Sequence, residues 1–172
     1  MFDFLKRKKK EEETVSADAP KQDVYAVANG DFVAIDMIND PVFSQKMMGD
    51  GFGVDPETGE IYAPIAGTVM SIFPTKHAVY IKTDSDLEVL VHMGIDTVEL
   101  EGAPFSIEVE EGQQVGKDDK IAHVDLDALK EADKETTIVV IFTNMNDVSE
   151  LSFTAEGKVA AGDKVGTVSA NQ

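Results

Sequence analysis

The chain has 172 residues, 42% of them hydrophobic, and a formal net charge of −18 although five of its fifteen Lys and Arg residues lie in the first ten positions. This length suits one folded domain plus a tail, and so negative a chain excludes a binding surface for nucleic acid. Because the sequence has no cysteine, disulfides, thiolate metal sites and cysteine nucleophiles are excluded as well.

Residues 1–20 are predicted to form a disordered tail, because a basic block, an acidic block and a polar stretch offer little apolar area to bury. The alternative is a short helix that places Phe2, Phe4 and Leu5 in an anionic membrane surface, which would give a weak membrane contact. The apolar run is too short for a signal peptide, and no segment is long enough to span a membrane. Residues 21–172 are predicted to form the folded domain.

From residue 24 onward, short β-branched and apolar runs alternate with turn-forming residues, which predicts strands. The predicted strands are 24–28, 32–36, 51–56, 61–63, 67–73, 78–83, 87–92, 106–109, 120–124 and 136–142. One helical turn is predicted within 41–48 and one short helix at 127–132. The strand spacing predicts an all-β fold, a compact antiparallel β-sandwich or barrel with one or two very short helices.

Two pairs of segments resemble each other within the chain. Residues 28–35 are similar to residues 65–72, and residues 111–124 are similar to residues 156–168. The similarity predicts a domain built by duplication of a strand–turn–strand unit. The alternative is that separate hairpins use the same turn-forming residues.

Two of the three histidines flank a predicted hairpin. His77 begins one strand, His92 ends the next, and the turn lies at 84–86. We expect His77 to pair directly with His92, with their Cβ atoms about 4.5–5.5 Å apart. The third, His123, lies in an alternating strand and is predicted to be structural.

Paired imidazoles suit group transfer near neutral pH. One ring can act as a nucleophile while the other donates a hydrogen bond to the transferred group. Thr75 offers a hydroxyl to hold the ring of His77, and backbone at Gly94 could orient the ring of His92. Zinc is the rival occupant, although two histidines without a third ligand make an incomplete site.

The chain closely resembles the glucose-type enzyme IIA components of the bacterial sugar phosphotransferase system over residues 25–170. The blocks that carry the resemblance are Val42-Phe43, Lys46, Gly49-Asp50-Gly51, Ala63-Pro64, Gly67-Thr68, Thr75-Lys76-His77-Ala78, the run from Val91 to Leu100, and Glu111-Gly112-Gln113.

The resemblance implies a compact antiparallel fold of duplicated hybrid type and a cytoplasmic, monomeric phosphoryl carrier. His92 would accept a phosphoryl group from the histidine-containing phosphocarrier protein and pass it to a cysteine on the IIB domain of a sugar permease. His77 would stabilise that group, and Thr75 would orient His77. Since this chain has no cysteine, the second transfer would occur in trans.

The resemblance also implies a docking surface around the histidines. Apolar residues would form it, together with two carboxylates that face basic partner residues: Val42, Phe43, Met47, Met48, Phe73, Leu90, Val98, Asp40 and Asp96. No cofactor is required, although a zinc ion shared by His77, His92 and a partner is an expectation that the resemblance allows. Some members also regulate transporters or enzymes.

Three positions depart from the family pattern. Asp86 stands where a glycine is usual, six residues before the phosphorylated histidine, and aspartate tolerates the left-handed geometry of such a turn. Leu90 and Met93 stand where phenylalanines are common, which keeps the apolar character but changes the shape of the docking surface.

Three other functions remain as alternatives. Residues 63–69 and 112–115 resemble segments of a biotinyl- or lipoyl-type carrier domain, in which Lys76, in a predicted turn, would be the modified lysine. A zinc peptidase would need a second histidine that 92–94 does not supply. A regulatory binding module with an unused site is the third alternative.

Overall fold

The computed structural model describes residues 20–171. Its strands are β1 (Gln22–Tyr25), β2 (Gly30–Ala34), β3 (Asp50–Pro56), β4 (Glu60–Tyr62), β5 (Gly67–Ile72), β6 (Ala78–Lys82), β7 (Glu88–Met93), β8 (Phe105–Ile107), β9 (Gln114–Val115), β10 (Lys120–Val124), β11 (Ile138–Phe142), β12 (Val148–Phe153), β13 (Lys158–Val159) and β14 (Lys164–Ala170). Its two α-helices are α1 (Pro41–Ser44) and α2 (Leu126–Glu131), and its three 3₁₀ turns are Ile35–Met37, Thr97–Leu100 and Met145–Asp147. The all-β prediction is confirmed.

The tail predicted at the N-terminus, with its membrane contact, falls on residues outside the described part apart from Pro20. The boundary between tail and domain stays a prediction. Within residues 20–171, no helix is both long and apolar enough to cross a membrane.

Within residues 20–171 all the strand pairs are antiparallel, and they form one large and two small sheets. The large sheet has the order β9-β5-β6-β7-β11-β3-β2-β13. The small sheets have the orders β4-β10-β8 and β12-β14-β1. Strands β7 and β11 therefore lie at the centre of the large sheet, and each has a hydrogen-bonded neighbour on both sides.

The two faces of strand β7 face different apolar clusters. Val89 and Val91 belong to the main core, which draws on all three sheets. Leu90 belongs to a second cluster on the opposite face, together with Phe43 of α1. Because side chains alternate along a strand, His92 lies on the same face as Leu90. The predicted alternation over Leu87–His92 is thus confirmed, and it brings His92 out beside the second cluster.

The hairpin of β6 and β7 forms as predicted, but its register differs from the prediction by one residue. Three residues lie between Thr83 and Leu87, which are joined by a hydrogen bond of 2.9 Å, so the turn is centred on Ser85. As a result Ala78, and not His77, lies opposite His92. His77 precedes the ladder, in the turn that follows β5.

The strands predicted at 24–28 and 32–36 correspond to β1 and β2, which do not pair with each other across Asn29-Gly30. Strand β1 ends at Tyr25 and pairs with β14, whereas β2 pairs with β3 and β13. The backbone after Tyr25 is buried and bonds to distant segments; the Ala26 amide, for example, donates to the Asp163 carbonyl. These long-range partners take the place of a local turn.

The duplication predicted from the internal similarities is visible in the strand pairing. Val115 lies opposite Gly67 at one end of the large sheet, and Val159 lies opposite Gly30 at the other. These four residues hold matching places in the two pairs of similar segments. The order of the large sheet is accordingly symmetric about the β7–β11 pair.

Helix α1 begins where its sequence predicts. The Asp40 carboxylate accepts a hydrogen bond of 2.8 Å from the Val42 amide, and Pro41 occupies the first helical position. An aspartate cap followed by proline is a strong local start signal. The helix is only one turn long, and it brings Phe43 over the large sheet.

Candidate functional site

The two ring nitrogens of His92 have different roles, because only Nδ1 is hydrogen-bonded to the backbone. Its Nδ1 lies 2.7 Å from the Gly94 carbonyl oxygen, which can only accept, so Nδ1 carries the proton and donates it. Nε2 is therefore the unprotonated nitrogen of the neutral ring. The Phe43 ring packs against the imidazole with 5.2 Å between centroids. The imidazole is thus both oriented and held in the tautomer whose Nε2 carries a lone pair.

The surroundings of His92 favour the neutral ring. Burial, followed by the effect of His77, lowers the pKa of His92 to about 4. The hydrogen bond to Gly94 and the carboxylates of Asp40 and Asp96 oppose this shift without cancelling it. A neutral imidazole at physiological pH has a lone pair available for attack.

His77 lies beside His92 with its ring nearly perpendicular. The ring centroids are 5.0 Å apart and the planes are inclined at 80°. Thr75 Oγ1 lies 2.6 Å from His77 Nδ1, and the Phe73 ring meets the imidazole edge-on at 5.3 Å. Burial lowers the pKa of His77 too. Two oriented imidazoles therefore share one small volume.

The two rings meet although the predicted register was wrong, because His77 lies at the very end of the β6–β7 pairing, directly after a residue with left-handed backbone. The His77 carbonyl still accepts a hydrogen bond of 2.7 Å from the Met93 amide, and in a regular strand that position would direct its side chain to the other face of the sheet. Lys76 instead adopts a left-handed conformation with φ of 60°. The turn so formed lets the His77 ring reach the face on which His92 lies. Nothing in the sequence around Lys76 signals this conformation, since lysine seldom adopts it.

The histidines lie in a depression of about 280 Å³. It is lined by Asp40, Val42, Phe43, Met48, Phe73, His77, Leu90, His92, Asp96 and Val98. Eight of the nine residues predicted for the docking surface therefore line it. Helix α1, the turn after β5 and the 3₁₀ turn after β7 bring them together.

The lining residues differ in exposure, which separates a floor from a rim. Phe43 and Leu90 are only 4% and 1% exposed, so they form the floor and offer little surface to a partner. Val42, Met48 and Val98 are exposed and form the rim. The sequence could not separate the two groups, because all five residues are apolar.

Met47 is the predicted docking residue that does not line the depression. It is 68% exposed and lines a neighbouring groove with Asn144 and Met145. Met48 lines both hollows. The depression and the groove therefore share Met48, while Met47 belongs to the groove alone.

The predicted metal site has two ligands from this chain at most. Among residues 20–171, no three His, Cys, Asp or Glu side chains cluster closely enough to hold an ion. His77 and His92 could supply two nitrogen ligands, whereas a zinc site needs three or four. A zinc ion would need the rest from another molecule, and a shared ion remains a proposal.

The other candidate residues lie away from the depression. His123 is on β10, with its Nδ1 3.4 Å from a carboxylate oxygen of Glu60. Asp86 has φ of 67°, so the position where the family favours glycine adopts the left-handed conformation that was expected of it. Asp96, which does line the depression, also has a positive φ, and aspartate is among the residues that tolerate this conformation.

Comparison with known proteins identifies the family. The family described as "phosphoenolpyruvate-dependent sugar phosphotransferase system, EIIA 1" matches residues 22–148. A glucose-specific EIIA component of Halalkalibacterium halodurans is 39% identical over 95% of this chain and 94% of its own length. The glucose permease IIA structure from Mycoplasma capricolum superposes with a TM-score of 0.78 at 34% identity, covering 87% of this chain and 96% of that one.

A longer relative shows the same unit in another setting. The glucose-specific EIICBA component of Streptococcus pneumoniae is 51% identical over 86% of this chain, which spans only 20% of that protein's length. The fold and these matches define a phosphotransfer component of a sugar phosphotransferase system. The chain belongs to the EIIA type 1 family of that system.

Proposed function

We propose that this protein is a cytoplasmic phosphoryl carrier, with His92 as the residue that bears the phosphoryl group. It would accept the group from the histidine-containing phosphocarrier protein and pass it to a cysteine on the IIB domain of a sugar permease. The observation that carries the proposal is the hydrogen bond from His92 Nδ1 to Gly94, which leaves Nε2 as the nucleophile. Family membership favours this function over a biotinyl or lipoyl carrier.

The first transfer would proceed by attack of the Nε2 lone pair of His92 on the phosphorus atom of the incoming phosphohistidine. A new nitrogen–phosphorus bond forms while the bond to the donor ring breaks, and its electron pair returns to the donor nitrogen. Such transfers pass through a loose transition state, so positioning and charge stabilisation do most of the work. The low pKa of His92 supports the role of nucleophile, because no proton has to leave Nε2 first.

His77 would stabilise the transferred group. If the Thr75 hydroxyl donates to Nδ1 of His77, the Nε2 of that ring carries a proton. That N–H can donate a hydrogen bond to a phosphoryl oxygen on His92, whose ring lies 5.0 Å away between centroids. Thr75 would thus select the donating tautomer of His77.

The rim and its carboxylates would receive the partners. Val42, Met48 and Val98 offer exposed apolar contact, and flexible methionine side chains suit a surface that serves more than one protein. Asp40 and Asp96 would face basic residues of the partner. The phosphocarrier and the permease domain would therefore bind in turn at the same place.

The second transfer would release the group to a permease. A cysteine thiolate attacks the phosphorus atom, the bond to Nε2 of His92 breaks, and the ring regains its lone pair. That cysteine lies outside these 172 residues, which contain none. Two relatives are named glucose-specific, so a glucose permease is the first acceptor to try.

The test is phosphotransfer with purified proteins. Incubation with the upstream carrier and a phosphoryl donor should label the wild type and the His123→Gln variant equally, whereas His92→Gln should take no label. His77→Gln should accept the group but deliver it poorly to the permease domain. Normal labelling of His92→Gln would show that the phosphoryl group is carried elsewhere.

A further inference from the structure

The carbonyl that orients His92 belongs to a peptide group whose two polar atoms are both bonded. The Gly94 oxygen accepts from His92 Nδ1 at 2.7 Å, and the Ile95 amide on the same peptide donates to the Glu135 carbonyl at 3.1 Å. Gly94 has φ of 79° and no side chain to limit its rotation. The direction of this carbonyl therefore depends on how firmly the neighbouring peptides are held.

The preceding peptide is held at both ends as well. The Gly94 amide donates to the Thr137 carbonyl at 2.9 Å, and the Met93 carbonyl accepts from the Thr97 hydroxyl at 2.6 Å. Four hydrogen bonds hold the two peptides, and two of them come from side chains, those of His92 and Thr97. His92 is the candidate nucleophile, so Thr97 is the other side chain that holds these peptides. Thr97 is therefore the side chain through which the pair of peptides can be loosened without touching His92.

The Thr97 side chain is built into this turn. It has no exposed surface, and its methyl carbon lies where a side chain on Gly94 would have to go, 2.5 Å from a Cβ placed there. Hydroxyl and methyl thus hold Met93 and Gly94 from one side, while β11 and the segment before it hold them from the other. Loss of this buried hydroxyl would leave the Met93 carbonyl without its hydrogen bond and would loosen the backbone next to His92.

We propose that Thr97 is a positioning residue for phosphoryl transfer: by binding the Met93 carbonyl, it fixes the peptide that keeps the proton of His92 on Nδ1. The inference rests on the proposed function of His92. Without the Thr97 hydroxyl the Gly94 peptide can rotate, the Nδ1–H loses its acceptor, and the proton can move to Nε2. A ring protonated on Nε2 and neutral overall has no lone pair there with which to attack phosphorus.

The experiment compares three substitutions at Thr97 with one control. Thr97→Ser keeps the hydroxyl, Thr97→Cys keeps a weaker donor, and Thr97→Val keeps the shape without a donor. Thr83→Val is the matched control, since Thr83 is also buried and its Oγ1 accepts from the Leu87 amide at 3.0 Å, at the far end of the same hairpin. Each protein is examined by ring ¹⁵N chemical shifts of His92 without phosphate and by the rate of labelling from the upstream carrier.

We expect Thr97→Val to shift the two ¹⁵N signals of His92 toward each other, as the tautomers mix, and to slow labelling about tenfold. Thr97→Ser should keep both within about twofold of the wild type, and Thr97→Cys should lie between. Thr83→Val should lower stability while leaving both readouts unchanged. If Thr97→Val does not fold, the comparison of Thr97→Cys with Thr97→Ser decides the matter.

Wild-type ¹⁵N shifts and labelling in a folded Thr97→Val protein would overturn the inference. Equal changes in Thr83→Val would also overturn it, because they would reflect general destabilisation. If wild-type His92 takes no label, the proposed function fails, but the ¹⁵N shifts still report whether Thr97 sets the tautomer. The two failures are therefore distinguishable.

Discussion

Acidification should leave His92 neutral well below pH 6. Burial and the neighbouring His77 lower its pKa from 6.5 to about 4. At pH 5.5 an imidazole with the ordinary pKa is only about one-tenth neutral, whereas one with a pKa of about 4 is more than roughly nine-tenths neutral. The population of the neutral form at that pH therefore differs about tenfold between a buried and an exposed His92.

The lowered pKa of His92 also predicts how the free energy of unfolding depends on pH. In the unfolded chain His92 takes up a proton as the pH falls through 6.5, whereas in the folded protein it stays neutral until about pH 4. The unfolded state thus binds more protons in this window, so the free energy of unfolding falls as the pH falls through it. The full shift corresponds to about 3 kcal/mol, of which roughly 2 kcal/mol should be lost between pH 7 and pH 4.5.

Two measurements check this. An NMR titration from pH 8 to pH 4 should show the ring signals of His92 changing only near the acid end. Urea unfolding at pH 7 and pH 4.5 should show that the wild type loses roughly 2 kcal/mol more than His92→Gln, since other titrating groups cancel in the comparison. Titration of His92 near pH 6.5, or equal losses in the two proteins, would refute the argument from burial.

Three further substitutions test the turns and the rim. Asp86→Gly should raise the free energy of unfolding by roughly 0.5 kcal/mol in urea, because the left-handed conformation suits glycine. Gly94→Ala should lower it by about 2 kcal/mol or more, since the new Cβ would lie 2.5 Å from the methyl of Thr97 and φ is positive. Val98→Lys on the exposed rim should slow labelling by the upstream carrier about tenfold with stability unchanged. Met70→Lys is the control, since Met70 is exposed but lies away from the depression, and it should not slow labelling. Equal labelling rates in the two variants would argue against a docking role for the rim.

The parts of the fold that follow from local patterns could be predicted from the sequence. The alternation in strand β7 placed Val91 in the core and His92 on the opposite face, because side-chain direction repeats every two residues. The helical turn predicted within 41–48 is also local, since the Asp40 cap and Pro41 mark the start of α1 in the structure. Register was harder, since a shift of one residue depends on where a turn is centred, here at Ser85.

Features set by distant partners were missed. Strand β14 (Lys164–Ala170) was seen only as part of an internal similarity, and β12 (Val148–Phe153), half exposed and mixed in polarity, was not predicted as a strand. Strand β14 pairs with β12 on one side and with β1 (Gln22–Tyr25) on the other, which joins the two ends of the described part of the chain. No local pattern specifies such partners.

The duplicated framework explains why this site occurs once. Symmetry about the β7–β11 pair relates His92, opposite Ala78, to Ile141, opposite Gly51. Ile141 is fully buried in the cluster that contains Phe43, and the same Phe43 ring packs against His92. Helix α1 therefore covers Ile141 completely, whereas it forms only one wall of the depression around His92. The duplicated sheet thus provides two equivalent positions, on β7 and on β11. Helix α1 covers the one on β11 and leaves the one on β7, His92, open to the depression.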